Sequence, residues 1–287
     1  MKRMIAFFLC VLLLTGCAAT YDGPTVATPM LTEIYSHGTV GGSDVDYVYR
    51  YVYAYDIYGN QVRRMDYYNN ELDCVVKMRY DDRGNLISQT TWDHNGWIPL
   101  PDGRVTYTYD EQDRKLTAVY DNGWGMETER VTYIYDDENR TQTWESSTGD
   151  WEITYLDEAG NETRIVHSSG RETVYTYDDR GNRIGKATYE NGLLRERWEY
   201  RFDEQNRQTY GAAYNADGDL RSDTTCLYDD EAHTQTTLSS DGSKRVEYHH
   251  KDGRMHMTED YGDDGALLMY AMYYYRDIQV PAEEDTP

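Results

Sequence analysis

The 287-residue chain carries 28 basic against 52 acidic residues, a formal net charge of −24. Each phosphate contact needs a cation, so this balance argues against binding nucleic acid or anionic lipid by surface charge. Tyrosine supplies 30 residues and phenylalanine only 3, which points to a hydrophilic, strand-rich protein, long enough to bury a real core.

At the start of the chain, Lys2 and Arg3 precede an apolar run from Ile5 to Leu14 that is too short to span a bilayer. Leu14-Thr15-Gly16-Cys17 resembles the bacterial lipobox. The resemblance implies removal of residues 1–16 as a signal peptide and lipidation of Cys17. Two or three acyl chains anchor a protein stably, so an extracytoplasmic, membrane-anchored lipoprotein of the cell envelope is expected. Residues 17–45 then read as the lipidated cysteine and a flexible tether, rich in Gly, Pro, Ser and Thr without strong periodicity. Only Cys74 and Cys226 remain in the folded body, at apolar-face strand positions, and they read as small buried hydrophobes rather than a bridge.

One pattern recurs over residues 46–276. An alternating aromatic run ends in Asp at Tyr53–Asp56, Tyr107–Asp110, Tyr133–Asp136, Tyr175–Asp178 and Tyr200–Asp203. Weaker copies end at Asp81 and Asp229, and in a last copy, Tyr248-His249-His250-Lys251, His250 stands for the second tyrosine. Strict alternation marks strands with one packed face. Three residues after the Asp stands Gly59, Gly84, Gly160 or Gly181, or else Asp113, Asn139 or Asn206. These types tolerate a left-handed backbone, which predicts a type I turn closed by a G1 bulge. A second strand follows. It ends at a two-residue hairpin signal such as Asn95-Gly96, Asn122-Gly123, Asn191-Gly192, Asp217-Gly218, Asp241-Gly242 or Asp264-Gly265. Trp151, Ile153 and Tyr155 alternate but Leu156 precedes Asp157, which predicts a local bulge.

The spacing resembles the YD repeat of the Rhs and teneurin families, most clearly in Tyr80-Asp81-Asp82-Arg83-Gly84-Asn85 and Tyr177-Asp178-Asp179-Arg180-Gly181-Asn182. The resemblance implies an all-β fold, a repetitive antiparallel hairpin meander forming a long twisted, curled sheet. Large family members close such a sheet around a toxic C-terminal domain. Here only the acidic residues 277–287 follow, and no proline follows an aspartate as in the family's self-cleavage motif. An open wall of nine units without cargo is the expectation.

No nucleophile elbow, His-Glu-x-x-His pair or phosphate loop occurs, so no enzyme activity and no cofactor are expected. His249, His250 and His256 cluster near the end but read as strand histidines. Asn215-Ala216-Asp217-Gly218-Asp219 opens like a calcium loop, yet Leu220 stands where that loop needs Gly; only weak calcium binding at Asp-rich turns is expected. The tryptophans are the functional candidates, because indole rings stack on the apolar faces of sugars. Trp92, Trp97, Trp124 and Trp144 are the expected ligand contacts. A surface binding module for carbohydrate or cell wall is therefore expected. The alternative is a structural or protein-interaction remnant of an Rhs-like system without a small ligand.

Overall fold

The structure is a computed structural model that describes residues 25–39, 46–94 and 100–281. It contains twenty strands and, among the described residues, no helix. They are β1 (Thr25–Thr39), β2 (Asp46–Tyr55), β3 (Gln61–Tyr68), β4 (Glu71–Tyr80), β5 (Leu86–Asp93), β6 (Leu100–Tyr109), β7 (Lys115–Asp121), β8 (Glu127–Asp136), β9 (Thr141–Ser146) and β10 (Trp151–Leu156). There follow β11 (Glu162–His167), β12 (Arg171–Tyr177), β13 (Arg183–Glu190), β14 (Leu193–Phe202), β15 (Gln208–Asn215), β16 (Leu220–Asp229), β17 (Thr234–Ser239), β18 (Lys244–His249), β19 (Met255–Tyr261) and β20 (Leu267–Pro281). Each strand pairs antiparallel with the next, as the hairpin meander requires.

The sheet is closed, not the open wall expected from the repeat count. β1 pairs with β2 from Glu33 to Thr39 and with β20 from Thr25 to Gly38, which closes the ring. The closing strand comes from residues 25–39, which composition had assigned to the tether, and β20 runs to Pro281, into the acidic tail. Closure has a physical reason: an open meander would leave two long edges of unpaired N–H and C=O groups.

The structure explains each position of the repeat. Where a tyrosine precedes the Asp in the first strand of a unit, it donates its hydroxyl to the first carbonyl of the preceding unit's second strand. Tyr80 bonds Gln61 O at 2.9 Å, Tyr109 bonds Leu86 O at 2.8 Å and Tyr177 bonds Glu162 O at 2.7 Å. This is why phenylalanine is rare: the hydroxyl links unit to unit. The Asp then staples the turn. Asp178 Oδ1 accepts from the amides of Arg180 and Asn182 at 3.0 and 2.8 Å, and Oδ2 accepts from Asn182 Nδ2 at 2.9 Å. Asp81 does the same with Arg83 and Asn85, and Asp203 with Gln205 and Arg207. Gly181 takes φ +82°, with its amide bonded to Asp178 O, which is the predicted type I turn with its bulge.

Three local readings are corrected and a fourth is refined. Asn139 does not take the left-handed position; Arg140 does, at φ +53°, because that turn is one residue longer before pairing resumes at Asp136–Thr141. Of the two-residue hairpin signals within the described residues, only Asn191-Gly192 forms such a turn, with φ +51° and +78°. Asp217-Gly218, Asp241-Gly242 and Asp264-Gly265 instead end turns that begin at Asn215, Ser239 and Gly262, and Asn122-Gly123 opens a longer loop; Asn95-Gly96 lies outside the described residues. The predicted bulge is present as a register shift at Tyr155/Leu156 and recurs beside most Tyr-Asp turns; Leu156 sits at the tyrosine position, so Trp151, Ile153 and Tyr155 face the other side. Finally, His249 takes the tyrosine position and His250 the Asp position, since the amide of His250 bonds Arg254 O at 2.8 Å.

The two faces differ. The tyrosine face carries a small packed cluster of Val105, Ala118 and Val131 under Tyr107, Tyr133 and Trp144, with Ala118 wholly buried. No large side chain is fully buried anywhere among the described residues. The core is therefore thinner than the chain length suggests. Strands lie ~4.8 Å apart, so a closed ring of twenty is too wide for one wall's side chains to fill. Cys226 is buried and Cys74 half-buried, both as free thiols.

Unit-to-unit bonding is open to a direct test. Tyr80→Phe should cost about 1 kcal/mol, the net worth of one hydrogen bond. Leu156→Tyr should gain a similar amount by reaching the carbonyl of Thr141. Urea titration checks both; equal stability of Tyr80→Phe and the parent would remove the linking role.

Candidate functional site

Even-numbered strands from β2 to β18 run toward the Tyr-Asp turns, and odd-numbered strands from β3 to β19 run away from them. The ring thus has a rim of mostly Asp-stapled turns and an opposite rim where the described turns mostly bear Gly. The tryptophans of β5 to β10 gather at the second rim. Trp92 is the penultimate residue of β5, Trp124 lies in the β7–β8 loop, Trp144 is two residues from the end of β9, and Trp151 begins β10. Trp97, the remaining ligand candidate, lies outside the described residues, as does the lipidation candidate Cys17.

The rim does not make one flat platform. Trp144 is on the tyrosine face, and its Nε1 donates to Glu152 Oε1 at 3.1 Å while its ring meets the His167 ring edge-on at 5.7 Å. It packs on the apolar cluster and its polar edge is already used. Trp92 is on the opposite face, with Lys77 Nζ 5.4 Å from its ring centroid. Trp124 belongs to neither face. It is 71 % exposed, with Met126 beside it at 68 %.

An exposed tryptophan is informative here because its loop is held rigidly. Asp121 Oδ1 accepts from the amides of Gly123 and Gly125, and its Oδ2 takes Arg104 Nε at 2.7 Å. Asn122 Oδ1 accepts from the amides of Trp124 and Met126 at 3.1 and 3.2 Å. Gly123 and Gly125 stand on either side of Trp124 at φ +77° and +87°, which only glycine adopts freely. Burial pulls the Asp121 carboxyl up, but the Arg104 bond and the loop amides outweigh it and keep it ionised below the ordinary range. The sequence signal was available: Gly-Trp-Gly inside Asp121–Met126. Trp151, 37 % exposed at the same rim, was left out of the expected contacts although only its strand position separates it from them.

The other candidates have partners of their own where they are described. Asn215 and Asp219 satisfy each other across a turn, with Asp219 N to Asn215 Oδ1 at 2.8 Å and Asn215 Nδ2 to Asp219 Oδ2 at 3.1 Å. The His250 and His256 rings approach to 4.9 Å, but among the described residues no three His, Cys, Asp or Glu side chains group as metal ligands.

One family model agrees with the repeat geometry. The RHS Repeat family model matches residues 157–194, the unit that includes Asp178 and its stapled turn. No curated protein matches the chain. The solved structure of a porin-like protein from Bacteroides uniformis ATCC 8492 is similar at a TM-score of 0.38 and 12 % identity, covering 88 % of this chain and 99 % of that one. TcdB2-TccC3 without its hypervariable C-terminal region is similar at a TM-score of 0.30 and 11 % identity, over 82 % of this chain and 18 % of that one. With the matched unit, the Tyr hydroxyl links and the Asp staples together, the chain carries an RHS repeat at residues 157–194 whose geometry recurs in its other units.

Proposed function

We propose that this protein is a non-catalytic binding module of the cell envelope, tethered through lipidated Cys17 and holding carbohydrate or cell-wall polymer at its tryptophan rim. The observation that carries the reading is Trp124, largely exposed on a loop whose backbone is fixed by Asp121 and Asn122. A rigid aromatic offers a stacking surface at little ordering cost. Trp92, Trp97 and Trp151 would extend contact along a polymer, while Trp144 supports the wall beneath. The membrane is met through acyl chains and not through charge, consistent with the acidic composition. Neither nucleic acid nor a resident cofactor enters the reading.

Co-sedimentation with insoluble cell walls and polysaccharides, with and without calcium, tests it. Binding should saturate, be insensitive to calcium, and weaken about tenfold in Trp124→Ala, the loss of one stacked ring. Binding indifferent to Trp124 and Trp151 would instead favour a protein partner at the same envelope address.

A further inference from the structure

On the face opposite the tyrosines, β2 to β5 form an open cavity of about 490 Å³ lined in part by Arg63, Lys77, Arg79, Ser88, Thr90 and Trp92. Register places its charges together. Arg63 of β3 lies directly across from Lys77 of β4, and Lys77 across from Thr90 of β5. Arg79 follows Lys77 by two residues on the same face, opposite Ser88.

Three cations in one patch are unexpected in a chain of net charge −24. Elsewhere the arginines of this sheet are mostly neutralised: Arg104 by Asp121 at 2.7 Å, Arg64 by Asp66 at 2.8 Å and Arg50 by Glu33 at 2.6 Å. Among the described residues Arg63, Lys77 and Arg79 have no carboxylate partner, and the one recorded contact of their charged ends is Lys77 over the Trp92 ring. Like charges directly opposite across two strands are destabilising. A sheet that bears this cost with acidic residues in excess holds a patch suited to an anion from outside.

We propose that this cradle binds an acidic sugar unit of a polysaccharide, its carboxylate between Arg63, Lys77 and Arg79 and its ring on Trp92. The inference rests on the glycan-binding reading above and names its ligand class. Trp92 lies two residues beyond Thr90, which is opposite Lys77, and on the same face, so the ring and the charges address one pyranose-sized ligand. Thr90 and Ser88 offer hydroxyls between them for sugar hydroxyls. The site is separate from the Trp124 loop.

The test is calorimetric titration of the full chain, in detergent, with trigalacturonate, its methyl ester and inorganic sulfate. Trigalacturonate should bind about tenfold more tightly than the uncharged ester, with an affinity that falls as salt is raised. Lys77→Gln, Arg63→Gln and Trp92→Ala should each weaken it about tenfold, the loss of one strong contact. Arg245→Gln, which removes an arginine paired with Asp260, should leave it unchanged. Lys77→Gln should also keep or raise the melting temperature at low salt, because it relieves repulsion; if it fails to fold, the wild-type salt dependence and the ester comparison decide alone. Equal binding of acid and ester overturns the cradle, and so does displacement of the sugar by equimolar sulfate. If polysaccharide binding depends on Trp124 and not on Lys77, the rim reading stands and this one falls. If no saccharide binds, both fall.

Discussion

Removing residues 25–39 should open the ring and make the protein self-associate. β1 completes the ring by imitating a repeat. Its Leu31 sits opposite Tyr275 with a register shift at Leu31/Glu33, as Gln61 sits opposite Tyr55 in an ordinary unit. Tyr55 donates to Leu31 O at 2.7 Å, the same link that joins other units. On the far side Arg254 stacks on Tyr275 at 4.8 Å, as Arg114 does on Tyr135 at 4.5 Å and Arg207 on Tyr228 at 4.4 Å. The seam is a tenth unit whose two strands come from opposite ends of the chain. Its loss exposes the edges of β2 and β20 at once, and leaves the outer arm of β20 without its one partner among the described residues. Each repeat is stabilised mainly by its neighbours, so the terminal units should lose several kcal/mol of a total on the order of 5–15. Light scattering coupled to size exclusion should show edge-paired oligomers. A truncated chain that stays monomeric, with an unchanged melting temperature, would mean that closure contributes nothing.

Acid should unfold the ring through its turns. Asp157 and Asp178 are held below the ordinary carboxylate range by side-chain bonds from Asn161 and Asn182, with backbone amides adding to them. Around Asp81, Asp110 and Asp203 burial pulls the other way, but the bonds from Asn85, Arg114 and Arg207 prevail. A carboxyl depressed in the folded state contributes stability that is complete above its unfolded value, about 4, and is lost as pH falls through the folded value. The urea midpoint should therefore be flat from pH 7 to 5 and fall below about pH 4. Protonation also relieves the repulsion of 52 acidic side chains, which acts in the opposite direction. At 0.15 M salt that repulsion is screened over ~8 Å, whereas the stapling bonds are in contact, so the turns should dominate. Asp178→Ala should lower the midpoint at pH 7 and flatten the acid limb. A midpoint that rises steadily into acid would mean that repulsion wins.

These expectations depend on features legible to different degrees. The alternation at Tyr53–Tyr55, Tyr107–Tyr109 and Tyr175–Tyr177 marked the strands because one face of a strand repeats every second residue. The Asp, Gly and Asn at fixed offsets marked the turns because few residues accept a left-handed backbone or reach back to cap it. Those are local requirements, written within five residues. The bulge before Asp157 was legible, but the face of Trp151 was not, because Leu156 hides the tyrosine position and only pairing with β9 shows which parity continues. His250 was placed one residue off for the same reason.

Other properties required distant residues to meet. β1 lacks the repeat motif because its turn partner is the other end of the chain, so composition alone described a tether. Closure followed from the unpaired edges of β2 and β20, which no local pattern records. The tryptophans were visible individually, but their gathering at one rim depended on the direction of each strand. Arg63, Lys77 and Arg79 became a patch only through the register of β3, β4 and β5. The sequence alone determined the strands, their turns and the repeat, since these depend on neighbours along the chain. The tertiary structure decided the closed ring, the faces and the charge cradle, because pairing across strands sets which distant side chains share a surface.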